Sequence, residues 1–167
     1  SERCLVGGSG STGAPFFMAR YNTHYRFVQT PDHVVIAMEQ NSNVRIIPIT
    51  DAPQPAFRRW MGVSRGWWEG DTLVVETSGF MPGDAFKPAS PILVGENARV
   101  IERFTRLSAG EMLYDYTVDD PETFTQTWRV QHVLYATDAT IFVYACQEDN
   151  HSLPNILRGG RESERPN

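Results

Sequence analysis

Lysine is nearly missing from this chain: Lys87 stands alone beside fourteen arginines. A GC-rich genome explains the bias, but the bias has a physical consequence. A guanidinium stays charged when partly buried and grips carboxylates and carbonyls through planar, paired contacts. Internal arginines paired with acids are therefore expected. Basic residues are also outnumbered, giving a formal net charge of -5 and a pI near 5.3. Nucleic-acid binders draw affinity from neutralising phosphates, so nucleic acid is not an expected partner. Apolar runs of about 20 residues, the length of a membrane-spanning helix, are missing too. A membrane-spanning chain is not expected.

Metal-ligand spacing is another absence. The four histidines, His24, His33, His132 and His151, form no H-x-H or H-x-x-x-H pair and no Cys-His pair. Glu148-Asp149-Asn150-His151 sets four donors in a row, but neighbours on a strand point to opposite faces. A solvated loop is the expected reading, with no metal and no cofactor. Gly8-x-Gly10-x-x-Gly13 has dinucleotide spacing, yet no strand precedes it and Ala14-Pro15 follows. The pyrophosphate needs a helix N-terminus there, so that reading fails. No internal repeat is present.

Cysteine is scarce, with one residue near each end of the chain, Cys4 and Cys146. Paired, they would tie the N-terminal segment to the last strand and stabilise the fold by roughly 4 kcal/mol in the chain-entropy model. Unpaired, they are two thiols in a reducing compartment. Neither has catalytic or metal-binding neighbours, which favours the disulfide and an extracytoplasmic location. No signal peptide is visible, and a chain starting S-E-R-C fits a processed form.

What is present is a run of strands. The 167 residues suit one domain, and 41% apolar against 21% charged argues against wholesale disorder. Residues 1–22 carry G-G-S-G-S-T-G and read as a flexible N-terminal arm, leaving 23–167 as a single β-domain. From Tyr25 onward, β-branched stretches alternate with turn signals. The clearest is Ser64–Phe80, S-R-G-W-W-E-G-D-T-L-V-V-E-T-S-G-F, a hairpin turning at Glu69-Gly70-Asp71. Ala56–Met61 suits one helical turn. Ala98–Leu107, Glu111–Val118, Phe124–Tyr135 and Ile141–Cys146 read as further strands. In all, about nine strands joined by short turns predict an all-β, antiparallel up-and-down barrel or sandwich, lipocalin-like in its order. Asn155–Arg158 suits a short C-terminal helix stopped by Gly159-Gly160. The long Gly79–Glu96 loop is of a length that usually carries function.

Several motifs occur in order: R-I-I-P at 45–48, W-M-G-x-S-R-G-x-W-E-G-D-T-L-V-V-E-T at 60–77, E-R-F-T at 102–105, V-D-D-P at 118–121 and Y-A-C-x-E at 144–148. Together they resemble an uncharacterised family of secreted or periplasmic bacterial proteins. The resemblance implies export and a mainly β-structure, and it transfers no mechanism. This chain departs from the pattern at Ser42-Asn43, where a His-Asp pair is usual, and at Gln147-Glu148, where a His-Glu pair is usual.

The candidate sites follow from chemistry. Asp119-Asp120-Pro121 reads as a turn, where Asp caps backbone N–H groups, rather than as an acid/base pair. Ser64 lacks a nucleophile elbow. Trp60, Trp67, Trp68 and Trp128, with Arg45, Arg65 and Arg103, are the residues expected to line a ligand or partner site. Trp67 and Trp68 face opposite sides of one strand. The inward one should cost about 3–5 kcal/mol on truncation to Ala. These features predict an extracytoplasmic binding or accessory protein, either a subunit of a larger assembly or a carrier of a small apolar or aromatic ligand. The alternative is an enzyme acting on a small molecule or saccharide in the barrel, with buried Glu39, Glu76 or Glu102 beside Arg45 or Arg103. A scaffold with no ligand is the third reading.

Overall fold

A computed structural model describes residues 13–16, 22–82, 94–145 and 151–164. Cys4, Cys146 and Gln147-Glu148 lie outside the described residues, as does most of the Gly79–Glu96 loop.

The expected run of antiparallel strands is present. Strands β1 (Tyr25–Gln29), β2 (His33–Met38) and β3 (Asn43–Pro48) form a three-stranded sheet. Strands β4 (Val63–Glu69), β5 (Thr72–Ser78), β6 (Arg99–Arg106), β7 (Glu111–Asp119) and β8 (Trp128–Tyr135) form a five-stranded one. Each strand pairs with its sequence neighbour within its sheet, as short turns dictate. The two sheets do not close into a barrel.

The inner faces follow the period-two alternation. Val34, Ile36 and Met38 on β2 meet Leu73 and Val75 on β5, Val100 and Phe104 on β6, and Tyr114 and Tyr116 on β7 in one buried cluster. Within 1–22, Ala14 and Phe16 are buried in that cluster. Phe16 stacks on Tyr25 with ring centroids 4.6 Å apart, and its N–H donates to the Tyr114 hydroxyl at 2.9 Å.

Several expectations need correction. The described strands number eight, because 141–145 forms no ladder. There the Phe142 and Tyr144 N–H groups donate to the Glu39 and Ser42 side chains, so they have no strand partner. β8 starts at Trp128 rather than Phe124, since the Asp120 carbonyl takes the N–H groups of Thr123 and Phe124 in a turn. Ala56–Met61 is irregular, with an Arg59–Phe80 bridge and a turn at Trp60-Met61, not a helical turn. Helix α1 (Ser152–Ser163) runs through Gly159-Gly160 and buries no residue. Glycine disfavours a helix interior without forbidding it. Among the described residues, no helix is long and apolar enough to cross a membrane.

The sheets meet at one seam, between β3 and β4. Ile49 bridges Gly66, and the Thr50 N–H donates to the Gly66 carbonyl at 3.0 Å. A Cβ on Gly66 would lie 3.0 Å from Ile47 Cγ2 and 3.2 Å from Ile49 Cδ1. Glycine permits this approach. Gly66→Ala should therefore destabilise the protein by about 1–3 kcal/mol through overpacking. Gly110→Ala, with nothing within 4 Å of its Cβ position, should be near neutral. Urea unfolding of the two variants checks this, and equal midpoints would refute the seam packing.

Candidate functional site

Arg45 lies on the inner face of β3 among apolar neighbours, 5% exposed. Across the core, Glu102 on β6 is 0% exposed. The Arg45 Nη2 donates to Glu102 Oε2 at 2.6 Å and Nη1 to Oε1 at 3.1 Å, a paired grip. Nη2 also donates to Ser64 Oγ and Thr77 Oγ1, both at 3.2 Å. The Tyr114 hydroxyl donates to Glu102 Oε1 at 2.6 Å. Burial, with the adjacent Glu102, drives the Tyr114 phenol well above its ordinary value and pushes Tyr116 up to about 12. Both remain donors at neutral pH. Burial disfavours the Arg45 charge, but Glu102 more than offsets it and holds the guanidinium protonated. Glu102 is closed to a substrate, and the pair ties the sheets together.

Glu76 and Arg103 lie on the outer face of the five-stranded sheet. Arg65 and Arg99 both bond Glu76. Arg103 bonds Glu69, which also accepts from the Trp67 indole. Asp115 on β7 takes Arg129 and Gln131. Beneath these long side chains Val74 is fully buried. The Asp119-Asp120 pair does not converge: Asp120 is buried and caps the Gly95 N–H at 2.7 Å, while Asp119 is exposed.

The four tryptophans do not meet. Trp128 packs inward on Tyr116 and Phe124. Trp67 lies on the outer face, with the Arg65 guanidinium 5.7 Å from its ring centroid. Trp68 has inner-face parity but stays exposed, because the contact with the three-stranded sheet ends at Gly66. Neither Trp67 nor Trp68 belongs to the core, contrary to expectation. Trp60 is 56% exposed and shares a groove of about 720 Å³ with Arg45 and Arg65, alongside Val44, Ile46 and Phe57.

A second cleft, of about 690 Å³, opens where β1 and β8 stay apart. Phe16, Phe27, Met112 and Leu134 supply apolar walls, and His24 and His132 line it. Burial lowers the His132 pKa, favouring the neutral ring. Just before β1, His24 Nδ1 sits 2.7 Å from Oε2 of Glu39, just after β2. Burial works against the Glu39 charge, but the Phe142 N–H and His24 outweigh it and lower its pKa. The sequence reading named Glu39 and missed His24, which falls outside the strand pattern. Among the described residues, no group of three His, Cys, Asp or Glu could hold a metal ion.

No protein-family model, curated protein or solved structure matches the chain.

Two predictions arise here. Arg45→Met or Glu102→Leu alone should cost about 3–5 kcal/mol, since each strands a buried charge. The double variant should cost less than either single one, as read from urea unfolding. Additive losses would contradict a coupled pair. Glu39, Glu76 and Asp115 all have lowered pKa values; Arg129 is the main cause for Asp115, and Arg99 with Arg65 overcome burial for Glu76. Their stabilisation is full above the ordinary values of 4.5 for Glu and 3.8 for Asp, and is lost as pH falls through the lower folded-state values. The urea midpoint should therefore fall with acidification below that range, and Glu76→Gln should make the fall shallower.

Proposed function

We propose that the chain is an extracytoplasmic accessory protein that docks a partner chain on the outer face of its three-stranded sheet. One observation carries this reading. That face sets Val28, Val35 and Ile46 in one cross-strand row, flanked by the Arg26–Ala37–Val44 row and by His33 opposite Pro48. Ile46 is 63% exposed, and Val28 and Val44 are about half exposed. The apolar surface continues round the β3 edge into the groove of Phe57 and Trp60. Contiguous apolar surface of this kind marks interaction sites, and aromatic residues are enriched at such interfaces. The compartment rests on the motif resemblance and on the reading of Cys4 and Cys146 as a pair.

The enzyme reading loses support at two of its three carboxylates. Glu102 is enclosed with Arg45, and Glu76 is held by two arginines. Glu39 remains, acting through His24.

Native mass spectrometry of the protein purified gently from its source tests the docking reading. A second chain should co-purify with the wild type and be lost from Ile46→Asp, with equal melting temperatures for the two proteins. A bare wild-type chain, or one whose partner survives Ile46→Asp together with Val28→Asp, would overturn it.

A further inference from the structure

The β1–β8 cleft opens on the inner-face side of β1, away from the outer docking face, and its polar groups are arranged differently. Its volume, about 690 Å³, falls within the range of small-molecule sites. Glu39 uses both carboxylate oxygens: Oε2 faces His24 Nδ1, and Oε1 accepts the Phe142 N–H at 3.1 Å. The Glu39 N–H also donates to the His24 carbonyl at 3.0 Å. An ionised carboxylate only accepts, so the proton on this side of the ring belongs to Nδ1. With that proton on Nδ1, the unprotonated form of the ring carries its lone pair on Nε2, and the buried partner holds the ring in place. His24 is part of the cleft lining, whereas Glu39 is buried behind it. His132 lines the same cleft from β8, its ring edge-on to Tyr114 with centroids 5.0 Å apart. Arg106, its Nε donating to the Ser108 carbonyl at 3.0 Å, adds positive charge to the lining, with Glu111 nearby; Arg26 also borders the cleft, but its strand parity is that of the outer face.

From this arrangement we infer that the cleft is a small-molecule site for an aromatic acid bearing a hydroxyl group. The ring lies between Phe27, Met112 and Leu134. The hydroxyl donates to His24 Nε2, and the carboxylate faces Arg106. Glu39 is a positioning residue that sets the His24 tautomer. This site uses the inner-face side of β1 and the proposed docking uses the outer face, so either can fail alone.

Isotope-labelled protein titrated with para-hydroxybenzoate, benzoate and para-methoxybenzoate provides the test. The imidazole signals of His24 and His132 are followed, with the Trp60 indole as a remote reporter. All three acids should shift both imidazoles and leave Trp60 still. The hydroxyl compound should bind roughly five- to tenfold more tightly than benzoate, the gain expected of one hydrogen bond. Glu39→Gln presents an amide donor to Nδ1, reverses the tautomer, and should turn the preference toward the methoxy acid. Leu134→Trp should fill the cleft and abolish binding by all three. Silent imidazoles with every acid up to about 10 mM would overturn the proposal. So would shifts confined to Trp60, or wild-type affinity in Leu134→Trp. The ligand series on the wild type and Leu134→Trp decide the matter even if Glu39→Gln fails to fold.

Discussion

The Arg45–Glu102 pair is the constraint from which the rest of the structure is arranged. A charge enclosed in protein is tolerated only when paired and hydrogen-bonded. Arg45 on β3 therefore requires the inner face of β6 opposite it, and Glu102 requires Arg45 and Tyr114. Ser64 and Thr77 bring β4 and β5 into the same network. The Phe16 N–H, donated to Tyr114, draws the 13–16 segment in as well. Hydrophobic contact alone would let two apolar faces slide over each other. A fixed bidentate pair does not, so the polar centre sets the registration of the sheets and the apolar cluster packs around it.

That registration determines where the sheets touch and where they part. At β3–β4 the absent side chain of Gly66 admits Ile47 and Ile49, and backbone groups bond across the join. At β1–β8 no ladder closes the gap, and the chain beyond β8 instead crosses to Glu39 and Ser42. Ser42 is also a position where this chain departs from the motif pattern it resembles. The open seam and the crossing segment thus place the His24–Glu39 pair beside a cleft.

Local signals made much of the fold legible. The hairpin from Ser64 to Phe80 could be read from alternation in T-L-V-V-E-T and from Gly70 at its turn, both properties of adjacent residues. Arg45 and Glu102 were each visible as candidates, since each stands at inward parity among apolar residues. Their pairing was not, because 57 residues separate them and nothing local encodes that contact. The strand expected at Ile141–Cys146 is missing over 141–145 for the opposite reason. Its residues suit a strand, but distant side chains satisfy its backbone. His24 was missed because its role comes from Glu39, across a hairpin. The tryptophans, expected to share one site with Trp67 or Trp68 turned inward, lie apart because the join between the sheets ends at Gly66 and leaves Trp68 exposed beyond it.

The two outer faces answer different demands. On the five-stranded sheet, Arg65, Glu76, Arg99, Glu69, Arg103, Asp115 and Arg129 form a lattice of ion pairs over a buried Val74. Each surface pair contributes little alone, but together their stems cover apolar backbone and keep that face wet. On the three-stranded sheet the outward positions of β2 and β3 are His33, Val35, Ala37, Val44, Ile46 and Pro48, with no comparable lattice of ion pairs among the described residues. The stretches H-V-V-I-A-M and V-R-I-I-P-I are apolar at both parities, the pattern of strands covered on both sides. One sheet thus carries a charged cover, while the other exposes an apolar strip bordered by Arg26 and His33.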